Sequence, residues 1–242
     1  MEDLAQRIAA IRERITAAAR RAGRDPHDIR LIGVSKTHTP PAISAALAAG
    51  LHDFGENRVQ EAETKITTLA EQRPAITWHL IGHLQSNKAR RAATLFDYVH
   101  SVDSVAIAQA LDRHAAAQGR RLPILLQVNV SGEASKDGFA LAGWEEYTAI
   151  RSAFFRDVAA ILALGGLDVR GLMTIAPLSA TAEAARPTFR ATRRLRDTLA
   201  RQFNTLSWNE LSMGMTDDFE IAIEEGATQV RVGRAIFGAR PV

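Results

Sequence analysis

Eight short apolar, β-branched runs alternate with helical stretches along this chain, and that alternation restricts the fold more than any other feature. The runs lie at 31–35 (LIGVS), 51–54 (LHDF), 77–81 (TWHLI), 97–101 (DYVHS), 123–130 (PILLQVNV), 169–175 (VRGLMTI), 209–213 (NELSM) and 228–232 (TQVRV). Helical patterns fill 41–49, 58–72, 86–95, 104–118, 144–164, 181–203 and 216–225, with Gly50, Gly119 and Gly226 where C-caps are expected. Strands separated by helices pair in parallel, because each crossover returns the chain to the same end of the sheet. Eight such units close a (β/α)8 TIM barrel, the α/β fold expected here. Residues 2–22 repeat Leu4, Ile8, Ile11 and Ile15, an amphipathic helix available to cover the N-terminal mouth of the barrel. A doubly wound open sheet is the alternative, but no G-x-G-x-x-G follows the first run and no segment is left for a substrate domain. A length of 242 residues with 46% hydrophobic content suits one barrel domain spanning 1–242.

Charge narrows the function classes. The formal net charge is +3, and short basic clusters such as ARR (89–91) and RRLR (193–196) fall in helical patterns beside acidic residues. A nucleic-acid surface would show a sustained basic stripe with interleaved aromatics, so no nucleic-acid partner is expected. No apolar run approaches the ~20 residues that cross a bilayer, and the charged start MEDLAQRIAAIRERI carries no leader-like apolar segment. Cysteine is absent. The expected location is the cytoplasm, with no membrane association.

In a parallel barrel all strand C-termini meet at one rim, where barrel enzymes build their sites. Here those ends carry Lys36, Glu56 and Asn57, His83, Asp103, Asn129, Thr174, Ser212 and Gly214, and Gly233 and Arg234. Only four of the thirty basic residues are lysines (Lys36, Lys65, Lys88 and Lys136). A chain that otherwise writes positive charge as arginine gains from Lys36 what arginine cannot supply, a deprotonatable amine. The turns Ser-Met-Gly-Met (212–215) and Gly-Arg (233–234) follow the last two runs, which is where such barrels recurrently bind phosphate. Arg231 lies between Val230 and Val232, so alternation aims it into the barrel, where it needs an anion or a partner such as Glu210 or Asp217. An amine facing a phosphate cradle suits a phosphorylated aldehyde: pyridoxal 5′-phosphate, or a sugar phosphate in a Schiff-base aldolase. Lys65 and Lys88 read as solvated helix faces, and Lys136 as part of a mobile glycine-flanked loop, either simply solvated or a transient acceptor of the aldehyde. His79 and His83 straddle a strand end, a poor arrangement for a zinc pair.

The segments GVSKTHTP, FGENRVQE, WHLIGHLQSNK, QVNVSGEASKDGF, GLMTIAP and LSMGMTDDFEIAIEEGATQVRVGRAIFG occur in order from about residue 30 to 239. Together they resemble the pyridoxal phosphate homeostasis protein family, itself similar to the barrel domain of alanine racemase. The resemblance implies pyridoxal 5′-phosphate held as a Schiff base on Lys36. It places Asn57 beside the ring, His79 beneath it and Met173, from GLMTIAP, among the cofactor contacts. Ser212 and Gly214, with the amides of Gly233 and residue 234, are implied to hold the phosphate. Arg231 is implied to approach either the pyridine nitrogen, where its charge would weaken the cofactor as an electron sink, or the phosphate. Position 234 departs from the family, which usually has a small hydroxyl residue where this chain has Arg234.

Two functions remain: a carrier delivering the cofactor to apo-enzymes, or an amino-acid racemase-like enzyme. Racemisation needs a base on each face of the carbanion. In alanine racemase the second is a tyrosine brought by a partner's C-terminal domain, and the chain is expected to lack that domain and to be a monomer. Of the two tyrosines, Tyr98 is expected within the fourth strand and Tyr147 facing out on a helix, neither placed as a base. The expected protein is non-catalytic, with pyridoxal 5′-phosphate as cofactor and apo-enzymes as transient partners.

Overall fold

Each apolar run becomes a strand and each intervening stretch a helix. The computed structural model describes residues 2–204 and 206–238, so the ends of the expected 1–242 domain lie outside the described residues. Its elements run α1 (Glu2–Arg21), β1 (Arg30–Val34), α2 (Pro40–Ala48), β2 (Asp53–Glu56), α3 (Val59–Thr68), β3 (Thr77–Leu80), α4 (Ala89–Leu95), β4 (Tyr98–Val102), α5 (Val105–Ala116) and β5 (Leu122–Asn129). They continue with β6 (Phe139–Ala140), α6 (Thr148–Leu162), β7 (Leu167–Met173), α7 (Arg186–Gln202), β8 (Glu210–Ser212), α8 (Phe219–Glu224), β9 (Gln229–Val232) and α9 (Arg234–Phe237). Eight strands pair in parallel in the order β4-β3-β2-β1-β9-β8-β7-β5, and a further β4–β5 pairing closes them into a barrel. The two-residue β6 adds to β5 outside this ring, with Val128 opposite Phe139 and Asn129 opposite Ala140.

The main core lies between the barrel wall and the helices, built on residues such as Phe54, Trp78, Phe96, Phe189, Trp208 and Phe219. Inside the barrel the apolar content is small: Tyr98, Leu125 and Met173 form a separate cluster, with Ile175 against it. Ile32, opposite Arg231, and Ile81 add aliphatic surface, but much of the remaining interior is polar, with Asp53, His79, His100, Gln127, Ser212 and Arg231, unlike the branched aliphatic filling common in such barrels.

Three expectations need correction. The second run lies two residues later than its pattern suggests, because Gly55 lacks the side chain that marks a strand. A Cβ there would come within 3.1 Å of Ile32 and 2.9 Å of Ile81, so any larger residue would have to push these two side chains aside on the inner wall. The helix expected from 144 begins at Thr148, after turns that bury Leu141 and Trp144.

The third correction concerns α1, which does not cap the N-terminal mouth. It lies in the outer ring against α8 and α9, with Arg14 paired to Glu220 at 2.7 Å, Arg21 to Glu224 at 2.9 Å and Arg7 donating to the Ile236 carbonyl at 3.2 Å. The four-residue α9 is too short to cover the wall beside β9 and β1, so buried Ile8, Ile11 and Ile15 fill that gap. Full burial of each contributes about 1.5–3 kcal/mol. The N-terminal end of the barrel is closed by polar side chains instead. There Tyr98 donates to the Glu210 carboxylate, which also accepts from Gln229 Nε2 at 2.5 Å.

Candidate functional site

Lys36 stands two residues past the end of β1, half-buried in the turn that leads to α2. Parallel pairing sets Ile32 opposite Arg231, so Lys36 stands four residues further towards the rim than the guanidinium's level. Gly233 meets the same strand end: a Cβ there would lie 3.3 Å from the Val34 carbonyl oxygen. His38 stacks on Phe237, with ring centroids 4.9 Å apart, tying the loop after β1 to α9.

Arg231 points into the barrel, as strand alternation requires, and is 3% exposed. Neither expected carboxylate meets it. Its Nη1 donates to Ser212 Oγ at 2.5 Å and its Nη2 to the Thr174 carbonyl at 2.8 Å. Asp217 instead pairs with Arg234 at 2.6 Å on the surface, and Glu210 is held by Tyr98 and Gln229. Burial pulls the Arg231 pKa down to about 10, opposed by the charge of Asp218. Asp218 is itself pushed up by burial, although it accepts the Met215 amide at 2.6 Å. The guanidinium remains charged at neutral pH, held among the described residues by a hydroxyl and a carbonyl, with further N–H donors to offer.

Below Arg231 a hydrogen-bonded column crosses the barrel interior. Ser212 Oγ meets His100 Nδ1 at 2.9 Å, His100 Nε2 meets His79 Nδ1 at 2.9 Å, and His79 Nε2 meets Asp53 Oδ1 at 2.9 Å. Both rings are fully buried. Burial, then the charges of His79 and Arg231, keeps His100 well below the ordinary imidazole pKa, so this ring is neutral. A carboxylate oxygen accepts, so His79 Nε2 donates to Asp53, and the His79–His100 and His100–Ser212 bonds continue the column in series up to Arg231. The Ser212 hydroxyl is thereby committed to His100 and Arg231 inside the barrel, one layer below the loop where phosphate was expected.

The other sequence-derived positions distribute as follows. Asn57 follows β2 and lines a cleft of about 320 Å3 with His83, Leu84 and Lys88. Gly214 has φ +91°, and a Cβ there would meet Ala222 at 2.6 Å and Phe219 Cα at 2.8 Å, so the turn into α8 admits only glycine. Met173 ends β7 fully buried among Leu125 and Tyr98. His79 lies mid-barrel rather than at the rim, and half-exposed His83 pairs with Asp103 at 3.0 Å. Lys136 belongs to an organised loop: Asn129 Nδ2 donates to the carbonyls of Glu133 and Lys136 at 2.9 and 3.2 Å.

Tyr98 is the first residue of β4, at the far end from the rim, where burial and its bond to Glu210 push the phenol pKa up. Tyr147 is exposed just before α6. Neither tyrosine is placed to act as a base at the mouth.

Lys65 corrects the expectation of a solvated helix face. It is 5% exposed, wedged between α3 and the barrel wall, where Nζ donates to Ser35 O, Glu56 Oε1 and Glu61 Oε1 at 2.8, 2.8 and 2.7 Å. Sequence reasoning missed His100 as well. Its position two residues after Tyr98, on the same face of a strand, was the available signal.

Residues 7–241 match the family model "Alanine racemase, N-terminal domain", the class of barrel that this fold defines. A "Pyridoxal phosphate homeostasis protein" of Pseudomonas aeruginosa is 46% identical over 240 residues, covering 99% of this chain and 97% of that protein. The protein of the same name from Escherichia coli K12 is 42% identical over 243 residues, covering 99% and 98%. The chain belongs to the pyridoxal phosphate homeostasis protein family. Among solved structures, PipY of Synechococcus elongatus with PLP bound superposes with a TM-score of 0.82 at 41% identity, covering 97% of this chain and all of that one.

Proposed function

We propose that this chain binds pyridoxal 5′-phosphate at the C-terminal mouth of its barrel, with Lys36 as the amine, and serves as an intracellular carrier delivering it to apo-enzymes. The observation that carries this reading is Arg231, a buried cation whose partners among the described residues are neutral. Family membership and the PLP-bound PipY structure support the same ligand.

The residues present fit the group. When bound, the cofactor supplies an aldehyde that forms a Schiff base with a lysine amine. Lys36 provides the amine at the rim, and Arg231 provides charged donors beneath it. Gly214, Gly233 and the Arg234 amide line the turns after β8 and β9, where backbone N–H groups suit a phosphate. Asn57 and the buried, unpartnered Gln127 Oε1 add polar capacity around the ring. His79, His100 and Ser212 hold Arg231 in place from below, and Met173 supports the floor through packing.

A non-catalytic role follows from the tyrosines: one is sealed at the opposite end, the other exposed on the outside, so neither serves as a second base at the mouth. The same reading makes the chain a single-domain cytoplasmic monomer whose encounters with recipient enzymes are transient. Among the described residues, no helix is long and apolar enough to cross a membrane.

The test is borohydride treatment of the loaded protein followed by peptide mapping. The fixed adduct is expected on Lys36 and absent from Lys36→Ala, which still folds because a rim side chain adds little to the core. Mixing loaded protein with an apo-enzyme should restore its activity, and an aldehyde trap should compete with that transfer. Steady turnover of an amino acid without any release would replace the carrier by the racemase-like enzyme.

A further inference from the structure

The cluster around Lys65 lies outside the barrel, yet it holds the backbone on both sides of Lys36. On the N-terminal side, Lys65 Nζ donates to the Ser35 carbonyl at 2.8 Å. The Ser35 hydroxyl donates to Glu56 Oε1 at 2.6 Å, and that oxygen also accepts from Lys65 at 2.8 Å. On the C-terminal side, the Thr37 amide donates to Glu61 Oε1 at 2.5 Å, the oxygen that Lys65 holds at 2.7 Å. One buried ammonium therefore ties down the two residues that flank the rim lysine.

The conformation between them requires such a restraint. Thr37 has φ +68°, and Trp208 is the only other non-glycine residue with positive φ among the described residues. A β-branched residue adopts this region only when its surroundings impose it. The Thr37 residue is exposed, so packing does not impose it. The restraints at this turn are the amide bond to Glu61 and the bond from the His38 amide back to the Ser35 carbonyl at 3.0 Å. Both acceptors are the ones that Lys65 holds.

We propose that Lys65, acting through Glu61, Glu56 and Ser35, is a positioning residue that sets the direction in which Lys36 leaves the end of β1. Lys65 touches no ligand itself, since it is buried outside the wall with three protein acceptors. This inference rests on the reading that Lys36 supplies the amine. Its consequence is specific: loosening the clamp releases the Thr37 turn and misaims Lys36 while the phosphate turns stay intact.

The experiment uses the full chain and two readouts, amide hydrogen exchange at Thr37 without cofactor, and the yield of borohydride-fixed Lys36 adduct at limiting pyridoxal 5′-phosphate. Lys65→Met should speed Thr37 exchange and lower the adduct equilibrium by about tenfold each, the scale of one lost charge-assisted bond. Glu61→Ala removes only the Thr37 arm at a half-exposed side chain, so it keeps the test open if Lys65→Met does not fold. It should show the same two changes at several-fold size. Adding Thr37→Gly to Glu61→Ala should recover the adduct to within about threefold of wild type, because glycine adopts this φ unaided. A merely structural Lys65 would lower thermal stability while leaving the adduct per folded molecule unchanged. The proposal fails if folded Glu61→Ala keeps wild-type Thr37 exchange and adduct yield, or if glycine gives no rescue. Should wild type form no Lys36 adduct, the cofactor reading falls, and Thr37 exchange alone still decides whether the clamp exists.

Discussion

Arg231 and Lys65 are both buried cations, 3% and 5% exposed, and the protein holds them in opposite ways. Lys65 sits between the wall and α3 against Glu56 and Glu61, with a backbone carbonyl as its third acceptor. Its charge is answered within the chain. Arg231 sits inside the barrel against a hydroxyl and a carbonyl, while Asp218, the carboxylate whose charge acts on it, serves a backbone amide. Desolvating a charge without a counter-charge is unfavourable, and an acceptor ligand offsets that cost. The compensated cation acts through the backbone it holds, whereas the uncompensated one keeps donors to offer inside the barrel.

Stability gives the largest expected contrast. Lys65→Met leaves two carboxylates facing a buried, unpaired site and should cost about 3–5 kcal/mol in denaturant unfolding. Arg231→Leu removes a charge that the fold does not neutralise and should cost no more than about 1–2 kcal/mol, mainly for the stranded Thr174 carbonyl. Equal losses would erase the distinction between the two sites.

Ligand binding should reverse the ranking. In a pyridoxal 5′-phosphate titration, Arg231→Leu should weaken retention by about 1.5–3 kcal/mol, roughly ten- to a hundredfold. Wild-type affinity in this variant would show that Arg231 is a structural group after all.

The interior column adds an acid-sensitive contribution. His100 is held neutral when folded, with a pKa well below the ordinary value, whereas the unfolded chain titrates near 6.5. Below that pH the unfolded state binds the extra proton, so the contribution is present above about pH 6.5 and lost as pH falls. Its slope approaches about 1.4 kcal/mol per pH unit. His100→Gln should flatten the acid limb of the stability profile by up to that slope between pH 6.5 and 4.5, measured by urea unfolding. An unchanged slope would place His100 outside the acid response.

The smallest effect is expected at Arg234. Its bridge to Asp217 joins two exposed side chains, so Arg234→Ala should change stability by less than about 0.5 kcal/mol. Retention should fall by less than about threefold, because the backbone amide survives the substitution. A loss matching that of Arg231→Leu would mean that the guanidinium itself carries binding energy.

Most of the architecture was legible because its signals are local. Strand and helix periodicities repeat over a few residues, and eight β/α units specify closure of the sheet almost by counting. Lys36 at a strand end and Arg231 between two valines could be placed for the same reason, since alternation alone decides the face. Gly55 hid the register of β2, because the property that suits it to the inner wall, the absence of a side chain, is invisible to a pattern of apolar residues. The position of α1 depended on how little wall the final helix covers, which is a matter of packed lengths.

The polar interior and the buried clamp were decided only by tertiary structure. Glu61 and Lys65 are four residues apart, a spacing that on an isolated helix reads as an exposed ion pair. Ser35 and Glu56, from two different strand ends, turn that pair inward and make it a restraint on Lys36. His100 becomes part of a column only when Asp53, His79, Ser212 and Arg231, from four other strands, converge on the barrel axis. The chain determined which side chains face inward. Which charges find a counter-charge there depends on distances between residues up to 178 positions apart along the sequence, Asp53 to Arg231, and those distances exist only once the barrel has closed.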